Sequence, residues 1–212
     1  EVFADYGAQC QPETLMTKKR DGGANNDIAR LRGARFVSTI EAEEGKRFAE
    51  SLIKQMTGDV AKAIRWTHDH AKDYGGDPNT MLVMGHSAGA QLAALICTDD
   101  SYLKAEGLPL SIIKGCVPVD GDTCDVPMQI KTVEDKRAKS YRMTFGDEES
   151  QKDWSSVTHV AKGKNIPPFL ILHIADNPET KAQSERLAKA LDEAGISAKV
   201  YSAAGKTHTT IN

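Results

Sequence analysis

From about residue 59 onward the apolar positions switch repeatedly between a helical period and short continuous runs, and that switching predicts the fold. Val60, Ala63, Ile64, Thr67 and Ala71 share one helical face, so a helix is expected over 59–74. A short apolar run, Met81 to Met84, follows, and then a long apolar helix-forming stretch over 88–99. Ile112 to Val119 and Phe169 to His173 are further apolar runs, the second led in by Ile166-Pro167-Pro168. Leu187, Ala190, Leu191 and Ala194 mark a helix over about 179–194 with Gly195 as its stop, and Ala198 to Tyr201 reads as a last strand. Continuous apolar runs alternating with helices imply a mostly parallel sheet with helices on both faces, an α/β fold.

The pattern is weaker elsewhere. Within 1–58 only Phe36 to Ile40 reads as a strand, and 41–56 reads as a helix rich in Glu and Lys. The amino-terminal strands are therefore atypical or missing. The span 121–164 is polar, with Trp154 near its middle, and reads equally as a cap over an active site or as a pair of surface helices. No Pro- or Ser-rich stretch divides the 212 residues, so a single domain is expected.

Composition narrows the function classes. A formal net charge of -3 argues against an electrostatic nucleic-acid binder, and the basic clusters at 18–20 and 30–35 read as solvated surface. No apolar run approaches the roughly 18 residues of a membrane helix. The amino end shows no charged-then-apolar signal segment, so a cytoplasmic chain is favoured over a secreted one while localisation stays open. Four cysteines match no zinc spacing and make no disulfide scaffold; Cys97 and Cys116 read as buried thiols. His68 and His70, two apart on a helix, point to different faces and read as surface residues rather than metal ligands. No metal or cofactor is expected, and the oligomeric state is not legible.

The candidate chemistry lies in Gly-His-Ser-Ala-Gly, residues 85–89, between the run ending at Met84 and the helix that follows. In a strand, sharp turn, helix context this pattern acts as a nucleophile elbow, although small-residue pentads also form plain strand-to-helix turns. The turn lifts the Ser87 hydroxyl above the sheet, and the new helix aims the Ala88 N–H at an oxyanion formed there. Asp176 lies just past a strand end and His208 in the polar loop after the last strand, so Ser87, Asp176 and His208 occur in the order such sites use. Asp120 and Asp122, after the run ending at Val119, are competing acids; Asp176 is preferred because its loop lies one helix and one strand before His208.

The segments 59–79, 84–95 (MGHSAGAQLAAL) and 167–191 (PPFLILHIADNPETKAQSERLAKAL), with the loop KTHTTIN, resemble an alpha/beta-hydrolase of the carboxylesterase kind. The similarity is to the branch of hormone-sensitive-lipase-like and bifunctional feruloyl and acetyl-xylan esterases. It implies Ser87 as nucleophile, His208 as base, Asp176 as acid, Ala88 as an oxyanion donor and a small-molecule ester as substrate. An arylformamidase or peptidase on the same three residues, and a non-catalytic hydrolase-fold binding protein, are the alternatives. The family's H-G-G-G strand end, which completes the oxyanion hole, has no clear counterpart. The nearest string is Arg20-Asp21-Gly22-Gly23-Ala24, without an apolar strand before it, so Gly22 or Gly23 is the only nominee for a second donor and an incomplete hole is expected.

Overall fold

The computed structural model describes residues 7–10, 36–39 and 50–211. Two short strands, β1 (Gly7–Cys10) and β2 (Phe36–Thr39), pair in parallel. The second matches the expected strand, whereas β1 carries no apolar alternation that would have announced it. The helix expected over 59–74 begins earlier, as α1 (Glu50–His70) followed by a 3-10 turn over Ala71–Tyr74, and takes in the end of the separate helix expected over 41–56. Gly58 lies inside this helix. Within a 21-residue helix it costs only about 1 kcal/mol relative to Ala, too little to end an element that buries Ile53, Ala61 and Ile64. Residues 41–49 lie outside the described residues.

The main sheet holds β3 (Met81–His86), β4 (Ile113–Val119), β5 (Phe169–Ile174) and β6 (Ala198–Ala203), in that spatial order and all parallel. The parallel order requires crossovers, which α2 (Ala88–Thr98) and α8 (Pro178–Glu193) help to supply. α2 is mostly apolar and buried because both sheet and helices enclose it. Ala93, Ala94, Ile96 and Cys97 meet Ile113, Cys116, Phe169, Ile171, Leu187 and Leu191 in one core. The alternate strand positions tell a different story. Leu82 (72%), Met84 (54%), Leu170 (43%) and Tyr201 (59%) are exposed, so the helices among the described residues pack on one face of this sheet.

After β3 and α2 the short helix α3 (Ser101–Ala105) leads to β4. The polar span after β4 forms four helices among the described residues: α4 (Val126–Thr132), α5 (Asp135–Phe145), α6 (Glu148–Asp153) and α7 (Ser156–His159). Asp125 caps α4 by accepting from the Met128 N–H at 3.1 Å. The helices bury Val126, Ile130, Ala138, Phe145 and Trp154 against Leu95 of α2 and Ile53 of α1. A span that reads as polar thus keeps a core of its own.

Candidate active site

The elbow begins with a close approach. Ser87 carries φ 56° and ψ -123°, a left-handed conformation that L-residues with a side chain adopt only under strain. Gly85 is required just before it: a Cβ there would stand 2.0 Å from the Gly89 carbonyl oxygen. The Ser87 N–H donates to the Val119 carbonyl at 2.9 Å, which pins the turn to the neighbouring strand. Ser87 is half-buried. Ala88, an exposed residue, opens α2, so its N–H belongs to the first helical turn, where no intrahelical carbonyl can accept it.

The register of β3 on β4 decides what lies beside the serine. His86 pairs with Val119, so the next residues of the two strands, Ser87 and Asp120, leave the sheet side by side. Asp120 also has positive φ, 50°, and its side chain is fully buried. Its backbone N–H donates to Leu172 at 2.7 Å and its Oδ1 accepts the Ile174 N–H at 3.1 Å. The other oxygen, Oδ2, lies 2.6 Å from His208 Nδ1. Burial pushes the Asp120 carboxyl up, but hydrogen bonds from His208, the Ile174 N–H and Thr180 outweigh it and hold the group below the usual aspartate range. An ionised, fully hydrogen-bonded carboxylate is thus fixed on one nitrogen of the imidazole.

The carboxylate paired with His208 is therefore Asp120, and the expected pairing with Asp176 is corrected. Asp176 sits exposed in a three-residue connection between β5 and α8, where Asn177 takes the capping role by accepting the Glu179 and Thr180 N–H groups at 3.0 and 3.3 Å. So short a link, ending in a helix cap, leaves the acid at the surface. Asp122, the other competitor, points into a separate cluster. It accepts from Tyr141 and lies 3.2 Å from the Arg137 guanidinium, which also reaches Glu179 at the start of α8. Burial raises the Asp122 carboxyl even though Tyr141 and Arg137 pull it down. This cluster ties α5 to the β4 and β5 ends beside the site.

His208 enters from a turn in which the Thr210 N–H donates to the Thr207 carbonyl at 3.0 Å. Its ring also lies against His86, with ring centres 4.4 Å apart and planes tilted by 38°. His86 went unread in the sequence because its position is the variable one in G-x-S-x-G. The three nominated catalytic positions therefore separate: Ser87 and His208 flank the same strand ends, and Asp176 does not join them. Gly22 and Gly23 lie outside the described residues. A groove of about 370 Å³ lined by Leu82, Gly115, Phe169 and Leu170 lies at the opposite ends of the strands from Ser87 and contributes nothing to the site.

Among the described residues no three His, Cys, Asp or Glu side chains gather as a metal site. His70 Nδ1 instead meets the Trp66 carbonyl at 2.8 Å and its ring stacks on Trp66. Cys97, Cys116 and Cys124 are buried free thiols, and burial pushes Cys124 up to about 12. A thiol so protonated is a poor nucleophile.

Parallel sheet, elbow and carboxylate-bound histidine define the alpha/beta-hydrolase class. Solved structures agree on the fold. An esterase from Thermogutta terrifontis superposes with a TM-score of 0.57 at 19% identity, over 94% of this chain and 72% of that one. Esterase B of Lactobacillus rhamnosis gives 0.59 at 18% identity, over 93% and 64%. Within that class the chain belongs to the BD-FAE family, whose profile matches residues 46–191. It is 26% identical to a probable isoprenylcysteine alpha-carbonyl methylesterase of Arabidopsis thaliana, covering 78% of this chain and 38% of that protein. It is 29% identical to the probable carboxylic ester hydrolase LipM of Mycobacterium tuberculosis (strain ATCC 25618 / H37Rv), over 60% and 31%. The chain thus spans less than half the length of these curated relatives.

Proposed function

We propose that the protein hydrolyses small carboxylic esters through an acyl-enzyme on Ser87, with His208 as base and Asp120, in place of Asp176, as the orienting acid. The observation that carries the reading is the 2.6 Å contact of His208 Nδ1 with buried Asp120 beside an elbow serine held at positive φ. Ser87 Oγ attacks the acyl carbon while His208 Nε2 takes its proton. The tetrahedral oxyanion receives the Ala88 N–H. Collapse expels the alcohol, which leaves with the proton from His208. Water then attacks the acyl-enzyme, again giving its proton to His208, and releases the carboxylic acid and free Ser87. Asp120 keeps the Nδ1–H tautomer throughout and balances the imidazolium charge. Each step uses side chains, backbone N–H groups and water.

The names of the relatives, a carboxylic ester hydrolase and a methylesterase, support an ester over an amide as the bond cleaved. The decisive experiment combines p-nitrophenyl acetate turnover with fluorophosphonate labelling. Ser87→Ala is expected to lose about 10⁴- to 10⁶-fold in kcat and all labelling. A variant keeping more than about a tenth of the activity, or a label on another residue, overturns the reading.

A further inference from the structure

We infer that His86, the residue immediately before the elbow serine, is a positioning residue: its imidazole is the wall that fixes the plane of the His208 ring and so aims Nε2 at the Ser87 hydroxyl. The inference rests on the catalytic reading above and adds to it a residue that touches neither substrate nor reacting atoms.

A hydrogen bond at one ring nitrogen leaves a degree of freedom. Asp120 Oδ2 holds His208 Nδ1 at one point, and the ring can still tilt about that axis. The loop around it closes on itself through Thr207 and Thr210, while Ala204 to Thr207, Thr209 and Thr210 are all exposed. The His86 ring, 4.4 Å away between centres and tilted by 38°, lies against the imidazole and opposes that tilt. Tilted ring pairs of this kind attract beyond their apolar contact.

The strand pattern explains why this position can do so. Leu82, Met84 and His86 alternate onto one side of β3, and the first two are exposed. His86 is instead half-buried at the strand's carboxyl end. Its backbone precedes the strained Ser87, so the wall and the nucleophile are held by one rigid turn.

The test compares His86→Ala, His86→Leu and His86→Phe in the full chain. Misplacement of a reacting group by about 1 Å costs on the order of 10²-fold, so Ala and Leu are expected to lower kcat about 10- to 100-fold with KM nearly unchanged. Phe, which restores a flat ring, is expected to recover most of that loss. Leu matching Phe would show that only volume matters, and a loss confined to KM would show a substrate contact; either overturns the inference. A second readout is independent of turnover. The low-field proton NMR signal of the His208 Nδ1–H bound to Asp120 is expected to stay sharp in the parent and Phe chains and to broaden in the Ala chain. If the parent hydrolyses no ester, the catalytic reading fails by itself; an equally sharp signal in the Ala chain overturns the role of His86.

Discussion

At the scale of single residues, the acid is the point on which chemistry turns. Two aspartates follow neighbouring strands, and only Asp120 reaches the imidazole, because its positive φ turns it toward β5 where Ile174 N–H and Thr180 meet it. Asp120→Asn is expected to lower kcat about 10³- to 10⁴-fold by favouring the wrong tautomer. Asp176→Asn, at the surface, is expected to change it less than about threefold. Parallel kcat measurements on the two variants check the assignment, and a large loss at Asp176 would reverse it. The same carboxyl links stability to pH. Its folded value lies below the unfolded one near 3.9, so the stabilisation is full above about pH 4 and is lost as pH falls through the folded value. A melting series against pH should therefore show a shallower acid decline for Asp120→Asn than for the parent.

Among elements, the junction of β3 with α2 tolerates least. Gly85 brings the strand end against the backbone of the helix start, and a methyl group at 85 would fall 2.0 Å from the Gly89 carbonyl oxygen, which cannot swing aside. Gly85→Ala is expected to cost about 3 kcal/mol or more, the upper range for overpacking, and to cut the soluble folded yield. Chemical denaturation checks it; a loss under about 1 kcal/mol would mean the junction can spread. This junction was plain in the sequence because every part of it is local: apolar run, small-residue turn, apolar helix. The pairing of His208 with Asp120 was not, since it joins residues 88 apart through sheet order and register. Asp176 had the favoured place in the chain, and nothing short of the β3–β4 register places Asp120 beside the serine. The separation of a helix over 41–56 from one over 59–74 failed for the opposite reason, a local pattern overruled by what the helix buries.

For the molecule as a whole, the arrangement of strands and helices followed from periodicity, but the distribution of burial across the sheet did not. One face carries the common core, and the other presents Leu82, Met84 and Leu170. Apolar patches of this sort favour self-association. Replacing Leu82 and Leu170 by Thr, which keeps strand preference, is expected to reduce light-scattering aggregation while moving the melting temperature by less than about 3 °C. A larger fall would show that these side chains support the fold.

The left-handed Ser87 has one more consequence. Such a conformation costs on the order of 1–3 kcal/mol in any residue with a Cβ, and glycine adopts it freely at a loss of about 0.4–1 kcal/mol through its looser unfolded chain. Ser87→Gly should therefore melt a few degrees higher than the parent while hydrolysing nothing, whereas Ser87→Ala should not. Heat-based selection of random variants that never assays turnover would then enrich inert chains, and position 87 is where that drift would begin.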